Sequence, residues 1–151
     1  LWTSIIAAHA YNGQGKESVT LFSLMKQDFV PDEIAFLSIL AACSHSGLID
    51  EGTHFLHCMK NEPSLSSPVV DLYGCMIDLF GRAGQLDEAE ALLENMPREP
   101  STRSYTALLG ACRDQQDIAC AERTSNAAFR SGSNCSSPYV MLSNIYATVD
   151  S

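Results

Sequence analysis

The chain has 151 residues, 46% of them hydrophobic, and a formal net charge of −9. This apolar content is enough for a packed core and excludes a disordered chain, while the lack of any run of about 20 apolar residues excludes a membrane-spanning helix. Nine Lys and Arg residues against 18 Asp and Glu argue against a protein that holds duplex nucleic acid through its phosphates. Recognition of single strands through base edges stays open, because it depends less on phosphate contacts.

A recurring pattern divides the sequence into units. Three segments align, each with a Gly near its start, acidic residues, an apolar stripe and a closing Met: NGQGKESVTLFSLM (12–25), SGLIDEGTHFLHCM (46–59) and AGQLDEAEALLENM (83–96). The closing Met residues are separated by about 34 and 37 positions, a period typical of helical-hairpin solenoids. The sequence therefore predicts about four stacked units instead of one compact domain.

The first predicted helix, in LWTSIIAAHAYNG, has neither an initiator Met nor the basic region of a targeting peptide. We therefore expect it to be part of a repeat, and the chain to be a fragment of a longer protein. In the next unit, Asp32 and Glu33 follow Pro31 and supply the acidic start that the helix dipole favours. Gly47 ends this helix, and Asp50 begins its partner.

The later units repeat this order. The turn of the third unit is GRAG at 81–84, and its second helix, with acid at its start, is expected on the outer side of the array. No strand-like alternation competes, so the sequence predicts an all-α protein: four hairpins over 1–135 and one further helix over 136–151. The turns within the hairpins are expected near Gly13, Gly47, Gly84 and Gln116.

No motif indicates catalysis, a cofactor or a metal. The segment His54-Phe-Leu-His57-Cys58 has a spacing that could place two imidazoles on one helix face, but no second Cys or His pair accompanies it. An ordinary packed helix is the better interpretation. The six cysteines contain no Cys-x-x-Cys pair and lie mostly in apolar runs, which predicts buried thiols instead of a disulfide framework.

Two strings closely resemble the pentatricopeptide repeat (PPR) family, and specifically its plant PLS subclass with repeats of variable length: PDEIAFLSILAACSHSGLIDEG (31–52) and YGCMIDLFGRAGQLDEAEALLENMP (73–97). TALLGACR (106–113) and YVMLSNIYA (139–147) resemble the E extension that follows the last repeat of such proteins. The resemblance implies a right-handed α-solenoid of stacked helical hairpins. It divides the chain into a truncated repeat (1–32), a long repeat (33–69), a short repeat (70–101), an E-extension repeat (102–135) and part of a second one (136–151).

The resemblance also implies a groove for single-stranded RNA, lined by the first helix of each hairpin. Two side chains read each base, one near the start of that helix and one at the last position of the repeat. The first repeat offers Thr3 with Asp32, a pair that the family uses for guanine. The weaker candidate pairs are Leu37 with Val69 and Gly74 with Ser101. Leu37 and Gly74 have no hydrogen-bonding side chain and should read bases weakly or not at all. From the residues alone, Thr3 and Asp32 are explained as helix caps.

The function implied by the resemblance is an RNA-binding module of an organellar C-to-U editing specificity factor, in a mitochondrion or a chloroplast. Its expected partners are single-stranded organellar RNA and, through the E extension, a deaminase-domain protein or another editing factor. A zinc deaminase needs His-x-Glu and Pro-Cys-x-x-Cys, and neither occurs in this sequence. The alternative function is a helical-repeat scaffold for protein–protein interaction, which suits the negative charge.

Overall fold

The computed structural model describes residues 1–65, 70–132 and 136–150, without the side chains of positions 70, 71 and 137. Within these ranges the chain forms nine α-helices and no β-strand. They are α1 (Trp2–Tyr11), α2 (Gly15–Asp28), α3 (Glu33–Ser46), α4 (Ile49–Lys60), α5 (Val70–Arg82), α6 (Leu86–Glu94), α7 (Thr102–Gln115), α8 (Ile118–Arg130) and α9 (Ser137–Asp150). The all-α prediction is confirmed. In the described part of the chain no helix is both long and apolar enough to cross a bilayer.

Each hairpin turns at a residue in the left-handed conformation. Gly13, Gly47 and Gly84 have φ values of 74°, 69° and 82°, and Gln116 has a φ of 57°. The four predicted turns are therefore confirmed. This conformation brings a Cβ close to the next carbonyl oxygen, which is why three of the turns use glycine and only Gln116 carries a side chain. Each turn reverses the chain, so α1–α2, α3–α4, α5–α6 and α7–α8 form antiparallel hairpins.

Side-chain caps fix where three of the helices begin. Asp32 Oδ1 accepts a hydrogen bond from the amide of Ala35 at 2.8 Å. Ser101 and Asp117 act in the same way at the starts of α7 and α8. Each cap satisfies an amide that the helix itself leaves unpaired, which stabilises the helix by about 1 kcal/mol.

The helices form two rows. The odd-numbered helices pack in succession, α1 on α3, α3 on α5, α5 on α7 and α7 on α9; we call them the odd row. The even-numbered helices, the even row, pack mainly on the odd row and much less on one another, with slight contact between α6 and α8. Neighbouring units therefore approach one another most closely along the odd row.

Among the residues whose side chains the structure describes, the buried ones form two clusters. One joins α1 to α5 and the other joins α5 to α9, and Phe80, Leu92 and Met96 pack against both. In the first cluster the Phe22 ring lies 5.5 Å from that of Phe36 and 4.9 Å from that of Phe55, between centroids. Because these rings come from three successive helices, they connect the first hairpin to the second.

Candidate nucleic-acid interface

Three depressions lie side by side on the odd row. Their volumes are about 400, 340 and 540 Å³. The first two share Ala41, His45, Cys75 and Arg103, and the last two share Asp78, Arg82, Thr106 and Ala107. They therefore form one continuous surface across α1, α3, α5 and α7, which we call the odd-row groove.

The structure places two of the weaker candidate residues in this groove. Leu37 lines its α1–α3 end, and Gly74 lies on its floor at α5. Thr3 lies half-buried in the first turn of α1, and Asp32 precedes the first turn of α3. Because α1 and α3 are neighbours in the odd row, Thr3 and Asp32 lie at the same edge of the array. Their role in reading a base stays a prediction.

The two described residues at the predicted last positions of repeats are helix caps. Ser101 Oγ accepts from the Ser104 amide and also lies within hydrogen-bonding distance of Ser104 Oγ, both at 3.3 Å. Its one oxygen is therefore engaged. The Asp32 cap uses only Oδ1, so the cap and a contact from Oδ2 to a base are compatible. Val69, the remaining candidate, lies outside the described residues.

Two residues that line the groove, Arg103 and Thr106, were not predicted from the sequence. Thr106 follows Tyr105 in the first turns of α7, just as Leu37 follows Phe36 in α3 and Gly74 follows Tyr73 in α5. Thr106 lines the groove, and its hydroxyl donates to the Arg103 carbonyl at 3.0 Å. The aromatic residue that precedes each of these three positions is the signal from which Thr106 could have been predicted. Arg103 had no such signal, because its place depends on how α7 packs on α5.

Charge is distributed unevenly between the two rows. In the groove, Arg82 pairs with Asp78 at 3.1 Å and Arg113 with Asp114 at 3.2 Å. Asp78 Oδ2 also accepts from the hydroxyl of Ser44 at 2.7 Å. The arginines compensate the negative charges of Asp78 and Asp114. The groove is therefore less negative than the net charge of the chain suggests.

Much of the excess acid lies on the even row. Helix α6 contains no Lys or Arg, and its acidic residues are Asp87, Glu88, Glu90 and Glu94. No residue of α6 lines the odd-row groove, and the outer position of this helix stays a prediction. Glu90 accepts two hydrogen bonds from the Arg123 guanidinium, at 2.8 and 2.9 Å, and these raise the pKa of Arg123. Neither Glu90 nor Arg123 lines the groove.

The histidines of α4 do not converge on a metal site. His54 Nε2 lies 3.6 Å from the Cys58 sulfur, whereas His57 Nε2 lies 3.1 Å from the side-chain amide of Asn61. The two imidazoles therefore have different partners. Among the residues that the structure describes, no group of three or more His, Cys, Asp or Glu could hold a metal ion.

Stacked two-helix units with a continuous groove along the odd row define a helical-repeat protein. A family model described as PPR repeat matches residues 1–28, 34–63 and 71–100. The matched segments cover more than half of the chain and coincide with the first three hairpins. The chain belongs to the pentatricopeptide repeat family.

Curated relatives from Arabidopsis thaliana resemble the chain along nearly its whole length. It is 41% identical over 147 residues to pentatricopeptide repeat-containing protein At4g19191, mitochondrial, covering 97% of this chain and 22% of the relative. It is 40% identical over 150 residues to DOT4, chloroplastic, covering 99% of this chain and 17% of that protein. The chain thus spans about a fifth of the length of these relatives.

Solved structures support the fold. The crystal structure of the pentatricopeptide repeat protein PPR10 from maize superposes with a TM-score of 0.77 at 24% identity, covering 98% of this chain and 22% of that one. The structure of PPR10 in complex with an 18-nt psaJ RNA element matches with a TM-score of 0.56 at 20% identity, covering 98% of this chain and 26% of that one. The stacked helical hairpins inferred from the sequence are thereby confirmed.

Proposed function

We propose that this chain binds single-stranded RNA along the odd-row groove. The observation that carries the proposal is the continuity of the groove across four successive odd helices, with polar and cationic side chains at its surface. The acidic helix α6 belongs to the other row. A single strand can lie along such a surface and present one base to each hairpin. The RNA held by the similar protein PPR10 is consistent with this use of the fold.

The affinity of the isolated chain should be low. Only Thr3 with Asp32 forms a complete pair of base-reading side chains, and the net charge of −9 disfavours phosphates. Fluorescence anisotropy with labelled 12-nucleotide RNAs should give a Kd weaker than micromolar at physiological salt, tightening at low salt. Single strands should bind better than a duplex of the same sequence. Equal binding of duplex and single strand, or no binding at low salt, would contradict the proposal.

We also propose a more specific role, as part of a PLS-subclass protein that directs C-to-U editing in a mitochondrion or a chloroplast. In this role residues 1–32, 33–69 and 70–101 are repeats, and residues 102–135 and 136–151 are the E extension. The extension would recruit or position a deaminase supplied by another protein or domain. The organellar names of the similar relatives support this location.

The editing role has its own test. Disruption of the gene in the source plant should abolish C-to-U conversion at one or a few organellar sites, measured by sequencing organellar cDNA. Unchanged editing at every organellar site would refute this role and leave RNA binding untouched.

A protein-binding scaffold is the second candidate function. One observation favours it: Phe129 is 69% exposed, and its ring lies 6.1 Å from that of Tyr139, which is itself 43% exposed. Exposed aromatic pairs are common where proteins dock. If Phe129→Ser abolished binding to an editing factor while RNA binding persisted, the scaffold role would apply to this end of the chain.

A further inference from the structure

Gly74 differs from the other glycines buried within these helices. A Cβ added at Gly81 would lie 2.5 Å from the Cβ of Ala111, and one at Gly52 would lie 2.6 Å from a methyl of Leu79. The short Ala111 side chain cannot move aside, so close helix packing requires Gly81, whereas at Gly52 the Leu79 side chain would have to shift. A Cβ added at Gly74 would meet only the hydroxyl of Ser104, at 3.8 Å, an ordinary contact. Packing thus does not explain Gly74, and its main consequence is an open floor in the groove.

Arg103 occupies this open part of the groove. It begins on α7, yet it lines both the depression that contains Gly74 and the one that extends to Ala7 and Tyr11 on α1. It is the only α7 residue lining the latter, so its side chain extends across α5 toward α3.

Among the described side chains, the guanidinium of Arg103 has no ion-pair partner. Of the three groove arginines, Arg82 and Arg113 each have a carboxylate partner. In the described part of the chain no carboxylate lies within ion-pair distance of Arg103. An exposed guanidinium without a counter-charge is free to take an anion, and its planar fork matches two oxygens of a phosphate. The nearby Asp78 is already engaged by Ser44 and Arg82.

We propose that Arg103 binds a backbone phosphate of the RNA strand where the strand crosses Gly74. The strand is then held at the third hairpin without base preference, by an arginine of the fourth hairpin, which explains why the third has a glycine at the position of a base-reading side chain. This inference rests on the proposed RNA binding and identifies the backbone phosphate as the part of the RNA that Arg103 binds. A contact from Arg103 to a base edge is the competing arrangement, and the test below separates the two.

The test compares Arg103→Gln with Arg130→Gln in the 151-residue chain. Both variants remove one positive charge, but Arg130 lies on α8 in the even row. Binding of a 12-nucleotide single-stranded RNA is measured by anisotropy at several salt concentrations. Arg103→Gln should weaken binding by about three- to tenfold and reduce the slope of log K against log salt by about 0.7, the value for one phosphate contact on a single strand. Arg130→Gln should change the slope much less.

Each other outcome has a separate meaning. If the unaltered chain binds no RNA even at low salt, the proposed function and this inference both fail. If it binds and the two variants behave alike, the inference fails and the function stands. If Arg103→Gln changes the preference among RNAs that differ at one base while the salt slope stays constant, Arg103 contacts a base and the phosphate assignment is wrong.

Discussion

Asp32 has one role that the structure shows, as a helix cap, and one that we propose, as a base-reading residue. Its Oδ1 caps α3, which explains the residue without any ligand. The cap also fixes the carboxylate at the start of α3, in the odd row. A residue held in place by a structural hydrogen bond contacts a ligand with little loss of side-chain entropy. The cap therefore supports the proposed base contact.

Thr3→Asn tests this base contact. In the complete protein it should move the preference at one RNA position from guanine toward uracil, because an amide offers a different donor–acceptor pattern from a hydroxyl. Selection from a randomised RNA pool measures the preference. Thr20→Asn, the same change at an exposed position of α2, is the control and should alter nothing. If Thr3→Asn leaves the preference unchanged while RNA still binds, Thr3 reads no base.

Two cysteines provide a residue-scale test of the core. Cys43 is fully buried, and desolvation, assisted by the negative charge of Glu51, raises the pKa of its thiol to about 12. Cys58 is only half-buried. Iodoacetamide at pH 8 should label Cys58 in the folded chain and leave Cys43 unlabelled, as read by peptide mass spectrometry. Rapid native labelling of Cys43 would show that the α1–α5 cluster is not packed as described.

The same pKa shift has a consequence for stability. The thiol of the unfolded chain ionises near pH 8.5, whereas that of folded Cys43 stays protonated to about pH 12. The folded state binds more protons between these values, so the contribution of Cys43 to the free energy of unfolding falls as pH rises through this window. At pH values below this window the contribution of Cys43 is constant. Replacing Cys43 by Ala should flatten this part of the stability–pH curve, measured by urea unfolding.

At the scale of helices, local signals predicted much of what the structure contains. The acidic start at Asp32 and the turn at Gly47 depend on backbone geometry within a few residues, so both could be inferred without knowing the neighbours. The contact of Gly81 with Ala111 and the path of Arg103 across α5 join positions about 30 residues apart. These depend on how closely successive hairpins stack, which the repeat period alone does not specify.

Two glycine substitutions in α5 test this stacking. Gly81→Ala should lower the free energy of unfolding by about 1–3 kcal/mol, because the new methyl overlaps Ala111. Gly74→Ala should leave it unchanged or raise it by up to about 1 kcal/mol, because alanine favours a helix and the site has room. Urea unfolding followed by circular dichroism measures both. A larger loss for Gly74→Ala than for Gly81→Ala would contradict the described approach of α5 and α7.

For the whole molecule, the separation of the two rows links fold to proposed function. The odd row carries the groove with its compensated carboxylates, and the even row carries the acidic helix α6. A chain with a net charge of −9 can therefore offer RNA one face on which repulsion is reduced. Net charge alone predicted poor phosphate binding, whereas the folded arrangement shows how the charges are divided between the groove and the even row.

The central claim, that single-stranded RNA lies along the odd row, is tested most directly by NMR. Amide signals of the ¹⁵N-labelled chain are followed while a 12-nucleotide single-stranded RNA is added at low salt, where weak binding is visible. Shift changes should concentrate at His45, Gly74, Arg103 and Thr106 and spare the even-row residues Glu88, Glu94 and Arg130. Changes that instead concentrate on α6 and α8, with the groove residues unaffected, would contradict the claim.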